Sequence, residues 1–327
     1  MRAVLIAQDG QPLAQPQLRE IDDPAVTGRQ VLVQVRAAGM NRADLSLKTG
    51  HFRAVPSTVD PGVAGMEMAG EVLECGPDAR SFKTGDRVMA MCAGAQAERV
   101  SLDERLLIPM PVGMSFVEAA CLPAAMMTAH DALVTNGRFE RGDNVLVQVA
   151  SSAIGIAAIQ MARLLGAREV IGTTSSPEKR VRLEALGLDH ALLGGPDVGA
   201  DVEGITSGHG ADVVIDHLGA PALPDNMACA AIGARIVSVG RMGGLRGDID
   251  MDLLSLKRLS LVGVTFRTRT IDDFALLIAR MRADVEPLFS ARTFTMPLDR
   301  VFALADVREA HERMRARQQF GKVVLEL

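Results

Sequence analysis

Tyrosine and tryptophan are absent from this sequence, and its only aromatic side chains are 10 Phe. Reductases that protonate a carbonyl from a tyrosine have no acid to use here, which excludes the short-chain dehydrogenase and aldo-keto reductase chemistries. Nucleic-acid bases find no tyrosine or tryptophan to stack on. The charge balance, 35 basic against 40 acidic side chains and a net −5, argues against nucleic acid as a main partner, which would favour a basic face. Cysteine is sparse: Cys75, Cys92, Cys121 and Cys229 form no C-x-x-C pair. Neither a zinc ribbon, a redox dithiol nor a disulfide framework is encoded, and a reducing cytoplasm is the expected setting. The start, MRAVLIAQDG, has one positive charge, a short apolar run and no cleavage site. It reads as a first strand rather than a signal peptide. The uncharged run from Asn144 to Ala162 is 19 residues, close to the ~20 a bilayer requires. Gln148, Ser151, Ser152 and Gln160 interrupt it, and its character changes from β-branched to alanine-rich halfway. A strand, a turn and a helix explain it, so no membrane partner is expected.

What is present suits a large folded core. The chain has 327 residues, 48% hydrophobic and 23% charged, and its length predicts two domains. The first ~120 residues read as short strands such as Val31–Ala37 and Val88–Met91, punctuated by Gly and Pro turns, with the pattern changing near Phe116. Residues 115–125 and 126–136 read as two helices, with Ser115 and Glu118 spaced as a capping box. From Val145 the chain alternates. Strands are expected at Val145–Val149, Val170–Thr173, Val213–Asp216, Ile236–Val239 and Ser260–Val264, with helices including Ile154–Leu165 and Pro177–Leu186. Such alternation predicts a doubly wound parallel sheet, an α/β class. Two further helices, Ile271–Arg282 and Asp306–Arg317, precede a last strand, Lys322–Leu327.

The strand at Val145 runs into Ala150-Ser151-Ser152-Ala153-Ile154-Gly155 and then a helix. A G-x-G-x-x-G turn belongs there, but only its last glycine is present, with the small Ala150 and Ser152 in the other two places. A pyrophosphate can still approach such a backbone, with the helix-start N–H groups of Ser152, Ala153, Ile154 and Gly155 facing it. Small residues in any strand-to-helix turn are the plainer explanation. The second strand adds a stronger signal. NAD-binding folds usually place Asp or Glu at its end, yet no acid occurs from Gly172 to Ser176. Ser175, Ser176, Lys179 and Arg180 gather there instead, a set of hydroxyls and cations at a helix start that favours the 2′-phosphate of NADPH. Ser176-Pro177-Glu178 also reads as a helix cap, and the two roles are compatible.

Gly39-Met40-Asn41-Arg42-Ala43-Asp44 with Lys48-Thr49-Gly50, the stretch Pro61 to Gly70, Gly85-Asp86-Arg87-Val88, Thr128-Ala129-His130, Ala150 to Gly155, and Gly321-Lys322-Val323-Val324 follow one another in order. In this ordered set the chain resembles the medium-chain dehydrogenase/reductases, specifically the zinc-free, zeta-crystallin-type quinone oxidoreductases. The resemblance implies a GroES-like, mostly β catalytic domain of residues 1–118 and 266–327. An inserted Rossmann domain of residues 119–265 would bind NADPH. It also implies a homodimer or homotetramer, with Ser260–Phe266 as a pairing strand. Zinc-dependent members have Cys where this chain has Asn41 and His where it has Met66. A thioether and an amide do not replace them, so no metal is expected.

The resemblance also distributes roles. Asn41 and Asp44 are the catalytic candidates: Asn41 as a hydrogen-bond donor to a carbonyl oxygen or as a turn residue, Asp44 more as a structural carboxylate. Phe52 stands where the family usually has a tyrosine near the nicotinamide, so the ring remains and the hydroxyl is lost. His51 and His130 are the remaining acids, each read by default as a solvated side chain. Met126 and Met242 would line an apolar acceptor pocket, although core packing is the default for methionine. Thr128, Gly240, Arg241, Met242, Val264, Thr265, Phe266 and Lys322 would contact the cofactor. Cys121 is expected to be buried and inert, with no cation beside it. Without zinc or tyrosine the acceptor must need little help. A quinone fits, and an activated enone, enal or acryloyl-CoA-type double bond is the alternative. A non-catalytic, NADPH- or RNA-binding protein is a third reading, weakened for RNA by the low charge and absent tyrosine and tryptophan.

Overall fold

The computed structural model describes residues 1–8, 11–45, 62–290 and 294–327. Two compact units emerge from its contacts: one of Met1–Ala125, Phe266–Ser290 and Thr295–Leu327, the other of Met126–Thr265 with Phe294.

The chain opens with an antiparallel pair, β1 (Arg2–Gln8) and β2 (Gln11–Glu20). β3 (Gln30–Gly39), β4 (Glu67–Cys75), β5 (Arg87–Met91), β6 (Arg99–Asp103) and β7 (Ile108–Pro109) follow. β3 alternates half-buried and buried side chains along its first half, the period-2 pattern of a strand covered on one face. Ser115 accepts the Glu118 N–H and Glu118 reaches back to the Ser115 N–H at 2.8 Å, the expected capping box. The helix it starts, α1 (Phe116–Ala119), is a single turn. α2 (Pro123–His130) begins with proline in its first turn, where no N–H is needed, and continues as a π-helical turn through Asn136. The sequence-based division into 115–125 and 126–136 is thus corrected by Pro123, which cannot sit inside a helix but can open one.

In the second unit strands and helices alternate: β8 (Val145–Val147), α3 (Ala153–Leu165), β9 (Val170–Thr174), α4 (Pro177–Glu184), β10 (His190–Leu193), α5 (Val198–Ile205), β11 (Ala211–Asp216), α6 (Leu223–Cys229), β12 (Ala230–Ser238), α7 (Met251–Leu256) and β13 (Ser260–Gly263). Every strand pair is parallel, in the order β10-β9-β8-β11-β12-β13. This is the doubly wound α/β sheet the alternation predicted, with one strand, β10, that the sequence pattern missed. Its core joins Leu146, Ile171, Val214 and Ile236 from the strands to Val202 and Met227 from the helices. β13 stands at the edge, with Leu261 exposed.

The chain then returns to the first unit through α8 (Ile271–Ser290), β14 (Leu298–Ala303), α9 (Val307–Arg315) and β15 (Lys322–Glu326). α8 outruns its predicted end at Arg282, because the Arg282–Glu286 pair and buried Val285 prolong its pattern for two more turns. β15 lies between β14 and β3, completing the sheet β14-β15-β3-β4-β5-β7, with β6 also paired to β3. Its Val323 and Leu325 pack with Val4, Ile6, Met40 and Val307. Among the described residues no helix is long and apolar enough to cross a membrane.

Candidate functional site

In the second unit the strand order reverses between β8 and β11. Ligands of open α/β sheets bind outside the carboxyl ends at such a switch point. The turn from β8 to α3 lies there. Ser152 caps α3, its Oγ accepting the Gly155 N–H at 3.0 Å. A Cβ on Gly155 would lie 2.6 Å from the Ala150 carbonyl oxygen and 2.7 Å from that of Val149. Only glycine permits so close an approach of helix and turn. Ser152, Ala153 and Ile154 remain half-buried at the helix start, where N–H groups and the helix dipole favour an anion. Two of the three glycines usual in such a turn are absent, yet the close approach of helix and turn is kept.

At the end of β9, Thr173 and Thr174 are buried, Ser175 is exposed, and Ser176 and Lys179 are half-buried. Ser176 Oγ accepts the Lys179 N–H at 3.3 Å, with Pro177 following, so the capping role is real. Arg180 lies 4.0 Å from Glu184 along the exposed face of α4. After β12, Gly240 packs so tightly that a Cβ would meet the His217 carbonyl oxygen at 2.6 Å. Arg241 and Met242 are exposed beyond it, and Thr128 is half-buried. Val264 is buried and donates its N–H to Ser238 at 3.2 Å; Thr265 is exposed. Phe266 belongs to the first unit, where its ring stacks on Phe274 at 5.5 Å under the Arg269 guanidinium.

The first unit holds a buried charged cluster. The Lys322 ammonium contacts Glu67 Oε1 directly, with the side chains 2% and 0% exposed. Lys322 also donates to Asn41 Oδ1 at 2.8 Å, and Asn41 Nδ2 donates to Glu67 Oε1 at 2.8 Å. Glu67 Oε2 accepts the Ala124 N–H at 2.8 Å. Asp44 Oδ2 accepts the Asn41 N–H at 2.7 Å, and its Oδ1 is buried without a hydrogen-bond partner. Burial pushes the Asp44 carboxyl up to about 7, against the pull of the Asn41 N–H and Lys322. β3 approaches this cluster through Gly39, whose Cβ would fall 2.1 Å from the Ala120 carbonyl oxygen and 2.8 Å from Glu67 Oε1.

Several expectations are corrected. Lys322, expected at the cofactor, is buried, with its ammonium bonded to Glu67, Asn41 and the Met40 carbonyl. Met126 has no exposed surface, the burial that core packing of a methionine produces. Met242 is 50% exposed. His130 is fully buried rather than solvated. Cys121 is inert for a different reason than expected: Lys322 does lie near it, but burial outweighs that cation and raises the thiol to about 12. Its Sγ donates to the Val117 carbonyl at 3.2 Å. His51 and Phe52, with Lys48-Thr49-Gly50, lie outside the described residues. The Lys322–Glu67 pair was missed, although one signal was available: a lone lysine at the head of the apolar run Val323-Val324-Leu325.

Comparison with known proteins agrees with this construction. Residues 27–132 match the alcohol dehydrogenase GroES-like domain family, and residues 153–283 match the zinc-binding dehydrogenase family. A quinone oxidoreductase of Pseudomonas aeruginosa is 30% identical over 95% of this chain and 96% of its own length. The chain belongs to the medium-chain dehydrogenase/reductases, quinone oxidoreductase type. Two solved structures of this medium-chain group superpose closely. The quinone oxidoreductase of Pseudomonas syringae pv. Tomato DC3000 has a TM-score of 0.84 at 26% identity, covering 100% of this chain and 99% of that one. An NAD-dependent alcohol dehydrogenase has a TM-score of 0.85 at 29% identity, covering 100% of both chains. As a medium-chain reductase the protein is an oxidoreductase with a GroES-like domain and a parallel-sheet Rossmann-like domain. The zinc in the name of one family model does not suit the donors present. Glu67 is taken by an ammonium, an amide and a backbone N–H, and Asn41 and Met66 supply neither imidazole nor thiolate. Among the described residues no group of three or more His, Cys, Asp or Glu is arranged to hold a metal ion.

Proposed function

We propose that this protein is an NADPH-dependent, zinc-independent reductase of quinone-like acceptors. The observation that carries the reading is the occupation of Glu67 by Lys322: the cation at this place is a side chain of the protein itself. A buried ammonium already bound to the Glu67 carboxylate, the Asn41 amide and, at 3.4 Å, the Met40 carbonyl is no Lewis acid for an alkoxide. The acceptor must then be one whose own electronics take a hydride and whose protons come from water, as in a quinone. The half-buried Asn41 amide is fixed at both ends, and its second N–H is the donor we assign to an acceptor carbonyl.

NADPH, when bound, supplies the hydride. The turn from Ala150 to Gly155 offers its pyrophosphate a backbone cradle closed by the missing Cβ of Gly155. Ser175, Ser176 and Lys179 favour its 2′-phosphate, and the lack of an acid from Gly172 to Ser176 disfavours the free ribose hydroxyls of NAD. The 30% identity to a quinone oxidoreductase supports the acceptor class.

The test is an NADPH-oxidation assay with exhaustively chelated protein against a panel of quinones and a panel of enones. Turnover of quinones by metal-free protein, with NADPH preferred to NADH, is expected. Activity restored only by zinc, or enones turned over far faster than quinones, would overturn the assignment.

A further inference from the structure

Val149 adopts φ +56° in the turn that leaves β8. For a β-branched residue this is a true backbone outlier, and such strain persists only where the surroundings impose it. The source of the constraint is visible. The Val149 N–H donates to Thr173 Oγ1 at 3.3 Å. The Thr173 hydroxyl in turn donates to Gln148 Oε1 at 2.5 Å, and Gln148 Nε2 donates to Asn226 Oδ1 at 2.7 Å. The Val149 N–H can only donate, so Thr173 Oγ1 is its acceptor and the Thr173 hydroxyl proton is left for Gln148. All three side chains are buried: Thr173 at 4%, Gln148 at 5% and Asn226 at 0% exposure. They come from β9, the residue after β8, and α6, so the relay crosses the switch point of the sheet.

The relay ends on the phosphate turn. Ala150 N–H bonds the Thr173 carbonyl at 2.8 Å, and Ser152 N–H bonds the Val149 carbonyl at 3.0 Å. The Val149 carbonyl is also one of the two oxygens that exclude a Cβ from Gly155. The conformation of Val149 therefore sets where α3 begins. Without a partner for its N–H, a valine would relax toward negative φ and carry the Ala150–Ser152 backbone with it.

We propose that Thr173, Gln148 and Asn226 are positioning residues that hold Val149 in its left-handed conformation, so that this buried relay sets dinucleotide affinity through the shape of the phosphate turn. The proposal rests on the reading of that turn as a nicotinamide-cofactor site.

The experiment is a double-mutant cycle read by the dissociation constant of NADPH, measured by fluorescence titration without any acceptor. Thr173→Val keeps the shape and removes the hydroxyl; it should weaken NADPH about tenfold, a change of ~1.4 kcal/mol. The acceptor KM should stay unchanged, and Thr173→Ser should restore tight binding. In a Val149→Gly background, where positive φ carries no strain, the same Thr173→Val change should cost less than about twofold. An equal loss in both backgrounds, or a Thr173→Ser variant as weak as Thr173→Val, would overturn the proposal. A second readout is independent of the cofactor. Amide hydrogen exchange at residues 149–152 of the ligand-free protein should quicken in Thr173→Val and not further in the double variant. If wild-type protein binds neither NADPH nor NADH, the cofactor reading fails, while the exchange data still decide whether the relay holds the turn. Unchanged exchange in Thr173→Val would end the proposal on that ground as well.

Discussion

Lys322 and Glu67 are both almost wholly withdrawn from water, at 2% and 0% side-chain exposure. Neither charge is tolerable there alone; each compensates the other, and Asn41 bonds to both. The consequence is asymmetric. Lys322→Met leaves a buried carboxylate facing only an amide and the Ala124 N–H, and the expected loss is ~3–5 kcal/mol, the usual result of removing one partner of a buried pair. Adding Glu67→Gln to that variant should recover much of the loss, since the remaining groups are then neutral. Urea unfolding of the two variants and the parent checks this. A single variant within about 1 kcal/mol of the parent would show that the pair is a solvated contact, as surface pairs are. The same cluster explains why Gly39 has no substitute. A Cβ would strike the Ala120 carbonyl oxygen and Glu67 at once.

At the scale of elements, α3 and α4 present their starts differently. α3 is capped by Ser152 and abuts the turn through Gly155, a geometry for backbone contact with an anion. α4 has Ser176 at its cap, Pro177 after it, and a cation at Lys179 whose stem is half-buried. Capping and phosphate recognition do not compete for the same atoms, because the cap uses the Ser176 oxygen and the Lys179 backbone N–H rather than the lysine ammonium. Lys179→Ala should then spare the helix and weaken NADPH much more than NADH, by ~1.5–3 kcal/mol if a charged hydrogen bond is lost. Titration of both cofactors measures it. Equal weakening of the two would remove the 2′-phosphate role.

For the whole molecule, His217, His311 and Asp44 are among the buried groups that shape the response to acid. Burial lowers His217 in the second unit and His311 in the first to about 4, with Arg315 adding to the effect on His311. Unfolded histidine binds its proton near pH 6.5. Between pH ~6.5 and 4 the unfolded chain therefore holds protons that the folded one refuses, and stability falls as pH falls through that window. Asp44 works in the opposite sense. Its folded carboxyl, raised to about 7 by burial, binds a proton that the unfolded chain takes only near pH 4, so this group adds stability as pH falls from about 7. His311→Gln should flatten the acid loss, and Asp44→Asn should steepen it between pH 6.5 and 4.5 without destabilising at pH 7.5. Urea midpoints across that range read both signs. A flatter profile for Asp44→Asn would show that its carboxyl stays ionised.

The fold was legible in the sequence because its signals are local. Alternating apolar strands and helices announced the parallel sheet. Ser115 with Glu118 announced a cap, and Gly155 marked the place in the turn after β8 where a helix must approach closely. Motif order extended this to the family, and residue types alone separated Asn41 and Met66 from metal ligands. What the tertiary structure decided is which polar groups meet. Lys322 and Glu67 are 255 residues apart, and Gln148 and Asn226 are 78 apart. No periodicity carries such a pairing, since it arises from which strand lies beside which. The burial of Met126 and His130 belongs to the same class, because a helix tells which residues share a face but not what covers that face. The strain at Val149 is the clearest case. A valine there is unremarkable as sequence, and its left-handed backbone goes with an N–H bonded to a threonine on the neighbouring strand, a pairing no local pattern encodes.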